Sequence, residues 1–142
     1  MSVIEVSLDV TVTNSTVTST PEWIFDEDES EYKYDNGDKA GGIVGYATST
    51  TITNCKVSDS TITAYRDFGG IIGCAYGNYG ASVSGCTVSN VTLTVDNSQN
   101  YKGYTSNSSY NVGEIIGRNI NSAGNTSNTA TGVTINYPYF EG

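Results

Sequence analysis

The sequence contains no histidine. Without histidine the chain cannot build a Ser-His-Asp triad, an imidazole proton relay or the common histidine-containing zinc sites. It also contains no apolar run that approaches the ~20 residues of a membrane-spanning helix. A length of 142 residues is that of one domain with one continuous core. These features argue against the commoner classes of enzyme and against membrane insertion.

Basic residues are scarce as well. Six Lys and Arg stand against fifteen Asp and Glu, which gives a net charge of −9. Affinity for nucleic acid and for anionic lipid depends largely on cationic side chains that neutralise phosphate groups. We therefore expect no nucleic-acid partner and no binding to a membrane surface.

The sequence does contain a repeated pattern. A glycine-rich block reads GGIVG at 41–45, GGIIG at 69–73 and GEIIG at 113–117. A second block, rich in Ser and Thr, occurs at 11–18, 56–63, 87–94 and 129–136. Internal repeats of this size indicate a stacked architecture, in which each repeat packs on its neighbours and like residues lie over like.

The second block has the pattern of short β-strands. Within VSDSTIT, residues 57–63, apolar residues alternate with Ser and Thr. One column of the aligned blocks contains residue types that readily adopt a left-handed backbone, which predicts a tight corner in every repeat. This corner column consists of Asn14, Asp59, Asn90 and Gly132. The flanking apolar positions predict two inward columns, Val12, Val57, Val88 and Ala130, and Val17, Ile62, Leu93 and Ile135.

The stretches GGIVGYATSTTITNCKVS (41–58) and GGIIGCAYGNYGASVSGCTVS (69–89) resemble the GLUG-type repeats of bacterial surface and secreted proteins. The resemblance covers roughly residues 38–136. It implies a right-handed parallel β-helix, an extracellular or cell-surface location and a role in adhesion. It implies no catalytic residue, because the motif contains none. The third copy departs from the motif at Glu114.

The predicted fold is therefore all-β, a right-handed parallel β-helix (β-solenoid) of about four coils with long loops at one corner. We expect one domain over residues 1–142. Its predicted parts are a leading coil or cap (1–18), an acidic aromatic loop (19–40), two core coils (41–94), a Tyr-rich loop (95–112) and a last coil with an aromatic cap (113–142). Exposed strand edges at the two ends would favour end-to-end self-association.

Cysteines and charges in the repeat columns have structural interpretations. Cys55 and Cys86 share a column, and we favour two buried thiols there over a disulfide bridge. The alignment places Lys39 over Asp67 and Asp38 over Arg66. Opposite charges on neighbouring strands indicate cross-strand ion pairing rather than a pair of catalytic carboxylates. We expect a protein without enzymatic activity and without a cofactor.

Two further features suggest alternative functions. Thr-x-Thr triplets, such as Thr61 to Thr63 and Thr92 to Thr94, would form ranks on one flat face, and such ranks resemble the ice-binding face of antifreeze proteins. Threonine is also simply a good outward-facing strand residue, and this explanation is favoured. The acidic segment 26–38 offers carboxylates for Ca²⁺ but does not match the EF-hand spacing, so a solvated acidic loop is favoured there.

A binding cleft is predicted where the long loops flank a short one. Loops gathered on one face of a solenoid often carry the binding function. The first long loop supplies Trp23, Tyr32 and Tyr34, the second supplies Tyr101, Tyr104 and Tyr110, and the short loop between them supplies Tyr65, Arg66 and Asp67. Aromatic walls around a charged floor suit a sugar or an extended peptide, although the same rings could instead hold the loops onto the solenoid.

The leading functional hypothesis is a non-catalytic, extracellular or cell-surface module that binds a glycan or a host or cell-surface protein. Three alternatives stay open: an enzyme that degrades polysaccharide, an ice-binding protein and a structural spacer. Against the enzyme stands the lack of unpaired carboxylate columns. Thermal hysteresis would distinguish the ice-binding protein, and the absence of any ligand would distinguish the spacer.

Overall fold

The computed structural model describes residues 4–7, 10–19, 22–36, 39–98 and 105–138. Over these residues the chain forms β-strands, two 3₁₀ helices of three residues each and no α-helix. The predicted all-β class is therefore confirmed. Three short strands come first: β1 (Ile4–Ser7), β2 (Thr11–Thr13) and β3 (Thr16–Thr18). An antiparallel hairpin follows, formed by β4 (Glu22–Asp26) and β5 (Glu31–Asn36).

The remaining strands repeat in three circuits. The first circuit contains β6 (Lys39–Gly41), β7 (Val44–Thr48), β8 (Thr50–Thr53) and β9 (Lys56–Ala64). The second contains β10 (Asp67–Gly69), β11 (Ile72–Tyr76), β12 (Ser82–Ser84) and β13 (Thr87–Val95). The third contains β14 (Asn111–Gly113), β15 (Ile116–Ile120), β16 (Gly124–Thr126), β17 (Thr129–Thr131) and β18 (Thr134–Asn136). The 3₁₀ helices lie at Gly77–Tyr79 and Asn107–Ser109.

Equivalent strands of successive circuits pair in parallel and form four sheets. We number them in the order in which the chain visits them. Sheet 1 contains β6, β10 and β14; sheet 2 contains β7, β11 and β15; sheet 3 contains β1, β8, β12 and β16; sheet 4 contains β2 and β3, β9, β13, then β17 and β18. Because every circuit visits the sheets in the same order, the connectivity is consistent with a β-solenoid.

The strand register agrees with the alignment of the repeats. Gly69 lies between Gly41 and Gly113 in sheet 1, and Leu93 lies between Ile62 and Ile135 in sheet 4. The inward columns supply much of the core: Ile62 and Leu93 are fully buried, whereas members of these columns at either end of the stack are half-buried. The first and second circuits lie in the middle of the stack, and we call them the two central circuits. They bury the most apolar surface and therefore contribute most of the hydrophobic stabilisation.

The predicted corner column adopts the left-handed backbone in all four repeats. The φ angles are 49° at Asn14, 51° at Asp59, 50° at Asn90 and 63° at Gly132. The Asn90 side-chain amide also donates a hydrogen bond of 2.7 Å to Asp59 Oδ1 in the circuit below. In β9 and β13 the strand continues through this corner, so the predicted pair of short strands is one longer strand in the two central circuits.

The paired glycines are required by the close approach of successive circuits. A Cβ atom on Gly42 would collide with the carbonyl oxygen of Gly70, and one on Gly70 would collide with the carbonyl oxygen of Glu114. Neither glycine has a positive φ, so space rather than conformational freedom explains the residue type. Within the described residues no strand pairs with the outer edge of β14, and Glu114 is exposed at the same column.

The cysteine column forms a ladder of backbone-to-side-chain hydrogen bonds. The Cys55 N–H donates to Cys86 Sγ at 3.4 Å, and the Cys86 N–H donates to Asn128 Oδ1 at 2.9 Å in the third circuit. The two cysteines are buried thiols and not a disulfide, in agreement with the favoured interpretation. Burial raises the pKa of the Cys86 thiol, because desolvation disfavours the thiolate.

Candidate functional site

The first wall of the predicted cleft is a hairpin rather than an irregular loop. In the register of β4 and β5, Trp23 lies opposite Tyr34, and Phe25 lies opposite Tyr32. In β5 aromatic residues alternate with polar ones, as in a half-buried strand, whereas β4 has three consecutive apolar residues, Trp23 to Phe25. The segment predicted as the acidic aromatic loop, 19–40, therefore also contains regular structure, and it ends with β6 of sheet 1.

The second wall is described only in part. Tyr101 and Tyr104 lie outside the described residues. Tyr110 is buried, and its ring centroid lies 6.0 Å from that of Tyr65 in an edge-to-face arrangement. The Tyr110 hydroxyl donates a hydrogen bond of 2.8 Å to Asn97 Oδ1. Tyr110 thus holds the end of the second long loop against the core, as the alternative interpretation of these rings expects.

The floor of the predicted cleft is not open to solvent. Tyr65, Asp67 and Phe68 are all 0% exposed, whereas the Arg66 side chain is 20% exposed. Tyr65 and Phe68 belong to the apolar core, and Tyr110 packs on Tyr65. Their burial leaves no side-chain surface for direct contact with a ligand. Of these floor residues, only Arg66 keeps part of its side chain accessible.

Asp67 is the centre of a charged cluster. Its Oδ1 atom accepts a hydrogen bond of 2.7 Å from the Asn111 side-chain amide and lies 3.3 Å from Arg66 Nε. Its Oδ2 atom accepts no hydrogen bond from the described residues and lies 3.6 Å from a terminal nitrogen of Arg118. Lys39 is the register partner of Asp67 in β6, as the alignment predicts, whereas Asp38 lies outside the described residues. A buried carboxylate needs such partners because desolvation of its charge is costly.

An exposed group of tyrosines includes Tyr46, which lies in the same column of sheet 2 as Arg118. We call Tyr46, Tyr76 and Tyr79 the tyrosine patch. Tyr46 is 50% exposed and Tyr79 is 54% exposed, whereas Tyr65 and Phe68 of the same circuits are buried. The Tyr76 ring lies 5.5 Å from the Tyr46 ring and 6.1 Å from the Tyr79 ring. Desolvation raises the pKa of the Tyr46 hydroxyl, and electrostatic interaction with Tyr76 raises it further.

The tyrosine patch was not among the residues predicted from the sequence. Tyr46 lies in a repeat column, and residues in such columns were interpreted as scaffold. A usable signal existed, because this column reads Tyr46, Cys74 and Arg118 in the three circuits, whereas the column two residues before it keeps an aliphatic side chain, as Val44, Ile72 and Ile116. The column of Thr48, Tyr76 and Ile120 varies in the same way. A column that varies within a constant repeat indicates a position that stacking does not constrain.

Sheet 4 presents the predicted threonine ranks. Two outer columns are in register across β3 and the three circuits. The first column is Thr16, Thr61, Thr92 and Thr134, and the second is Thr18, Thr63, Thr94 and Asn136. Their members are exposed at the ends of the stack and half-buried in the two central circuits. The ranks therefore form one continuous polar face.

In the ranges that the structure describes, no three His, Cys, Asp or Glu side chains lie where they could hold a metal ion together. In the acidic segment 26–38, the turn from Glu27 to Ser30 is exposed. No helix in the described ranges is long and apolar enough to cross a membrane.

The C-terminal cap is only partly described. Residues 139–142 lie outside the described residues, and Tyr137 is 38% exposed. At the other end, β1 pairs with β8 and extends sheet 3, so residues 4–7 belong to the stack itself.

The described strands form parallel sheets that the chain visits in a fixed order. Glycines and threonines stack in register from one circuit to the next. These features define an all-β repeat protein. The family model of the GLUG motif matches residues 39–63 and 65–95, which form the first and second circuits. Residues 39–95 therefore contain two adjacent copies of the GLUG motif, as the resemblance of these stretches indicates, and the chain is similar to GLUG-type repeat proteins. No curated protein and no solved structure matches the chain.

Proposed function

We propose that the protein is a non-catalytic, extracellular or cell-surface module that binds a glycan or protein ligand and serves in adhesion. Its scaffold is a right-handed parallel β-helix of about four coils. The GLUG motif supports a repeat module of extracellular proteins, and the fixed order of the four sheets supports the coiled scaffold.

The observation that carries this proposal is the exposure of the tyrosine patch, in which Tyr46 and Tyr76 belong to sheet 2 and Tyr79 to the 3₁₀ helix that follows β11. Tyr46 and Tyr79 expose half of their surface in a protein whose other described large apolar side chains are mostly buried. Neighbouring strands hold the backbone of β7 and β11 in place, so Tyr46 and Tyr76 lie on a rigid surface. Rigid aromatic rings provide contact area at a low cost in conformational entropy, and their hydroxyls provide hydrogen bonds.

The spacing of the rings favours an extended ligand. Strands in one sheet lie ~4.8 Å apart, so rings on neighbouring strands are separated by about one sugar unit. The Tyr46 and Tyr76 rings are inclined at 62°, so a chain could stack on one ring and touch the edge of the other. A linear glycan or an extended peptide fits such a surface better than a compact small molecule does.

A binding screen tests the proposal. We expect the protein to bind members of a glycan array or of a panel of cell-surface proteins, and Tyr46→Ala combined with Tyr79→Ala to weaken binding at least tenfold. Tyr137→Ala is the matched control, because Tyr137 is also exposed but lies at the end of the third circuit. Unchanged binding by the double variant would remove the tyrosine patch from the proposal.

A second double variant tests the cleft predicted from the sequence. If Trp23 and Tyr104 contribute to binding, Trp23→Ala with Tyr104→Ala weakens binding while the melting temperature changes little. If they only hold the loops, stability falls and the affinity of the folded protein is unchanged. Release of sugar products during incubation with uronate polymers would contradict the non-catalytic assignment.

Ice binding is a second candidate, and the register of the threonine ranks favours it. Four equivalent positions align in each of the two outer columns of sheet 4. If this face binds ice, the protein shows thermal hysteresis, and Thr61→Leu with Thr92→Leu abolishes it. Thr126→Leu on sheet 3 is the control, because it places the same bulky side chain on another exposed strand. Absence of hysteresis in the unmodified protein would end this candidate.

A further inference from the structure

A basic residue, Arg118, shares a column of sheet 2 with Tyr46 of the tyrosine patch. The chain has six Lys and Arg and a net charge of −9. Arg66 and Arg118 both lie against Asp67, and Lys39 is the register partner of Asp67. Three of the six basic residues therefore lie at or beside the position of one buried carboxylate.

Arg118 is the accessible member of this group. Its side chain is 44% exposed, whereas the Arg66 side chain is 20% exposed. An arginine has five N–H donors, and the contact of Arg118 with Asp67 Oδ2 involves one terminal nitrogen at 3.6 Å. The exposed part of the guanidinium therefore retains donors that can bind an anion from solution.

Asp67 holds Arg118 at this place. The Asp67 side chain is fully buried, and Asn111 fixes its Oδ1 atom through a hydrogen bond of 2.7 Å. Asp67 Oδ2 accepts no hydrogen bond from the described residues, so Arg118 is attracted to it mainly by charge. A guanidinium that is oriented by a buried carboxylate loses less entropy when it binds a second one.

Arg118 and Tyr46 lie in the same outward column of sheet 2. They are register neighbours of Cys74, one on each side, so their Cα atoms are separated by two strand spacings, roughly 10 Å. Cys74 is buried between these larger side chains. Along this column the surface has the ring of Tyr46 at one end, the small side chain of Cys74 in the middle and the cation of Arg118 at the other end. The distance between the two ends is about the length of a disaccharide.

We propose that Tyr46, Tyr76, Tyr79 and Arg118 form one binding site for a glycan that carries carboxylate groups, such as a uronic acid chain, and that Asp67 is its positioning residue. The tyrosine rings pack on the apolar faces of the sugars, and Arg118 binds the planar carboxylate through paired hydrogen bonds. The proposal rests on the ligand-binding function proposed above and specifies the class of ligand.

Titration calorimetry with two matched ligands tests this site. The ligands are trigalacturonate and its methyl ester, which has the same sugars without the charge. We expect the unmodified protein to bind trigalacturonate at least tenfold more tightly than the ester, and Arg118→Gln to reduce this preference to about twofold or less. Lys56→Gln is the control, because it removes one exposed positive charge from sheet 4 and should leave the preference unchanged.

Further variants separate positioning from loss of fold. Arg118→Lys keeps the charge but loses the planar pair of donors, so we expect it to retain only part of the preference. Asp67→Asn should weaken trigalacturonate binding more than binding of the ester. If Asp67→Asn does not fold, the comparison of Arg118→Gln with Arg118→Lys carries the test. Melting curves must show that each variant that is used remains folded.

Several outcomes would overturn the proposal. Equal affinity for the two ligands, or an equal loss of preference in Arg118→Gln and Lys56→Gln, would show that no carboxylate is recognised at Arg118. Tighter binding of an acidic peptide, tested as tri-glutamate, would assign the site to protein ligands. Binding of the ester that depends on Tyr46 but not on Arg118 would refute the carboxylate site and leave the proposed function intact. Failure of the protein to bind any member of the panels would refute both.

Discussion

Sheets 2 and 4 belong to the same stack but use their outer faces differently. In sheet 4 two outer columns repeat threonine in the central circuits, as in Thr61 and Thr92. In sheet 2 the equivalent outer column changes from Tyr46 to Cys74 to Arg118. The backbone pairing is parallel and in register in both sheets, so the scaffold does not require the difference. Columns that repeat describe the scaffold, whereas the scaffold does not fix the residue type of a column that varies.

The inward side of the stack shows how strongly the scaffold constrains its residues. Leu93 has an apolar neighbour on each adjacent strand, and it is fully buried. We predict that Leu93→Ala lowers the free energy of unfolding by roughly 4 kcal/mol, because it leaves a cavity in the core. Urea denaturation would measure this loss. Ile135→Ala, in the same column but half-buried in the third circuit, should cost about half as much, and equal losses would contradict a core centred on the two middle circuits.

Substitution of a repeat glycine should destabilise the protein nearly as much as Leu93→Ala does. A methyl group at residue 70 would collide with the carbonyl oxygen of Glu114 and would lie 2.9 Å from both methyl groups of Val88. We predict that Gly70→Ala lowers the free energy of unfolding by about 3 kcal/mol, since backbone atoms cannot move aside without separating the circuits. Glu114→Ala is the matched control in the same column and should change stability by less than about 0.5 kcal/mol. Both values follow from urea denaturation midpoints.

The corner column tests the role of the left-handed backbone. Asn90 has a φ of 50°, which is unfavourable for residues with a Cβ but tolerated by asparagine. We predict that Asn90→Ala costs roughly 1 to 2 kcal/mol in thermal or urea unfolding. Asn90→Gly loses the same hydrogen bond to Asp59 but adopts this φ freely, so it should cost only a few tenths of a kcal/mol. If the two variants were equally unstable, the hydrogen bond rather than the backbone would explain the asparagine.

The buried thiol column should give the smallest effect, visible only at alkaline pH. Burial raises the pKa of Cys86, so the unfolded chain releases this proton at a lower pH than the folded protein does. The stability that the protonated Cys86 provides is therefore fully present below about pH 8.5, the ordinary pKa of a solvated thiol, and is lost as the pH rises towards the higher pKa of the folded protein. Urea denaturation under reducing conditions between pH 7 and pH 10 should show a steeper fall for the unmodified protein than for Cys86→Ala. Parallel pH profiles would contradict this prediction.

The sequence predicted those parts of the fold that repetition constrains. The corner at Asp59 and Asn90 and the alignment of Ile62 with Leu93 could be predicted because backbone geometry or burial allows few residue types there. The hairpin at 22–36 was missed as regular structure because it occurs once and no second copy supports it.

The candidate site was harder to predict, because exposure depends on neighbours that are distant in the sequence. Tyr65 and Tyr79 are both tyrosines in connections between repeat strands, yet one is fully buried and the other is half exposed. Tyr65 is covered by Tyr110, which arrives from the second long loop, whereas Tyr79 lies in a 3₁₀ turn on the surface. Composition and spacing alone do not separate these two cases.

Glu114 makes the three repeats non-interchangeable. Gly42 and Gly70 each leave room for the backbone of the following circuit, and a glutamate in that column does not. A recombination event that moved the third repeat into the second position would therefore place a carboxylate side chain against a backbone carbonyl. Duplication of the second repeat, which carries glycine there, would be compatible with stacking. An array of this type can thus lengthen by copying its inner units, while the unit with Glu114 keeps a fixed place in the order.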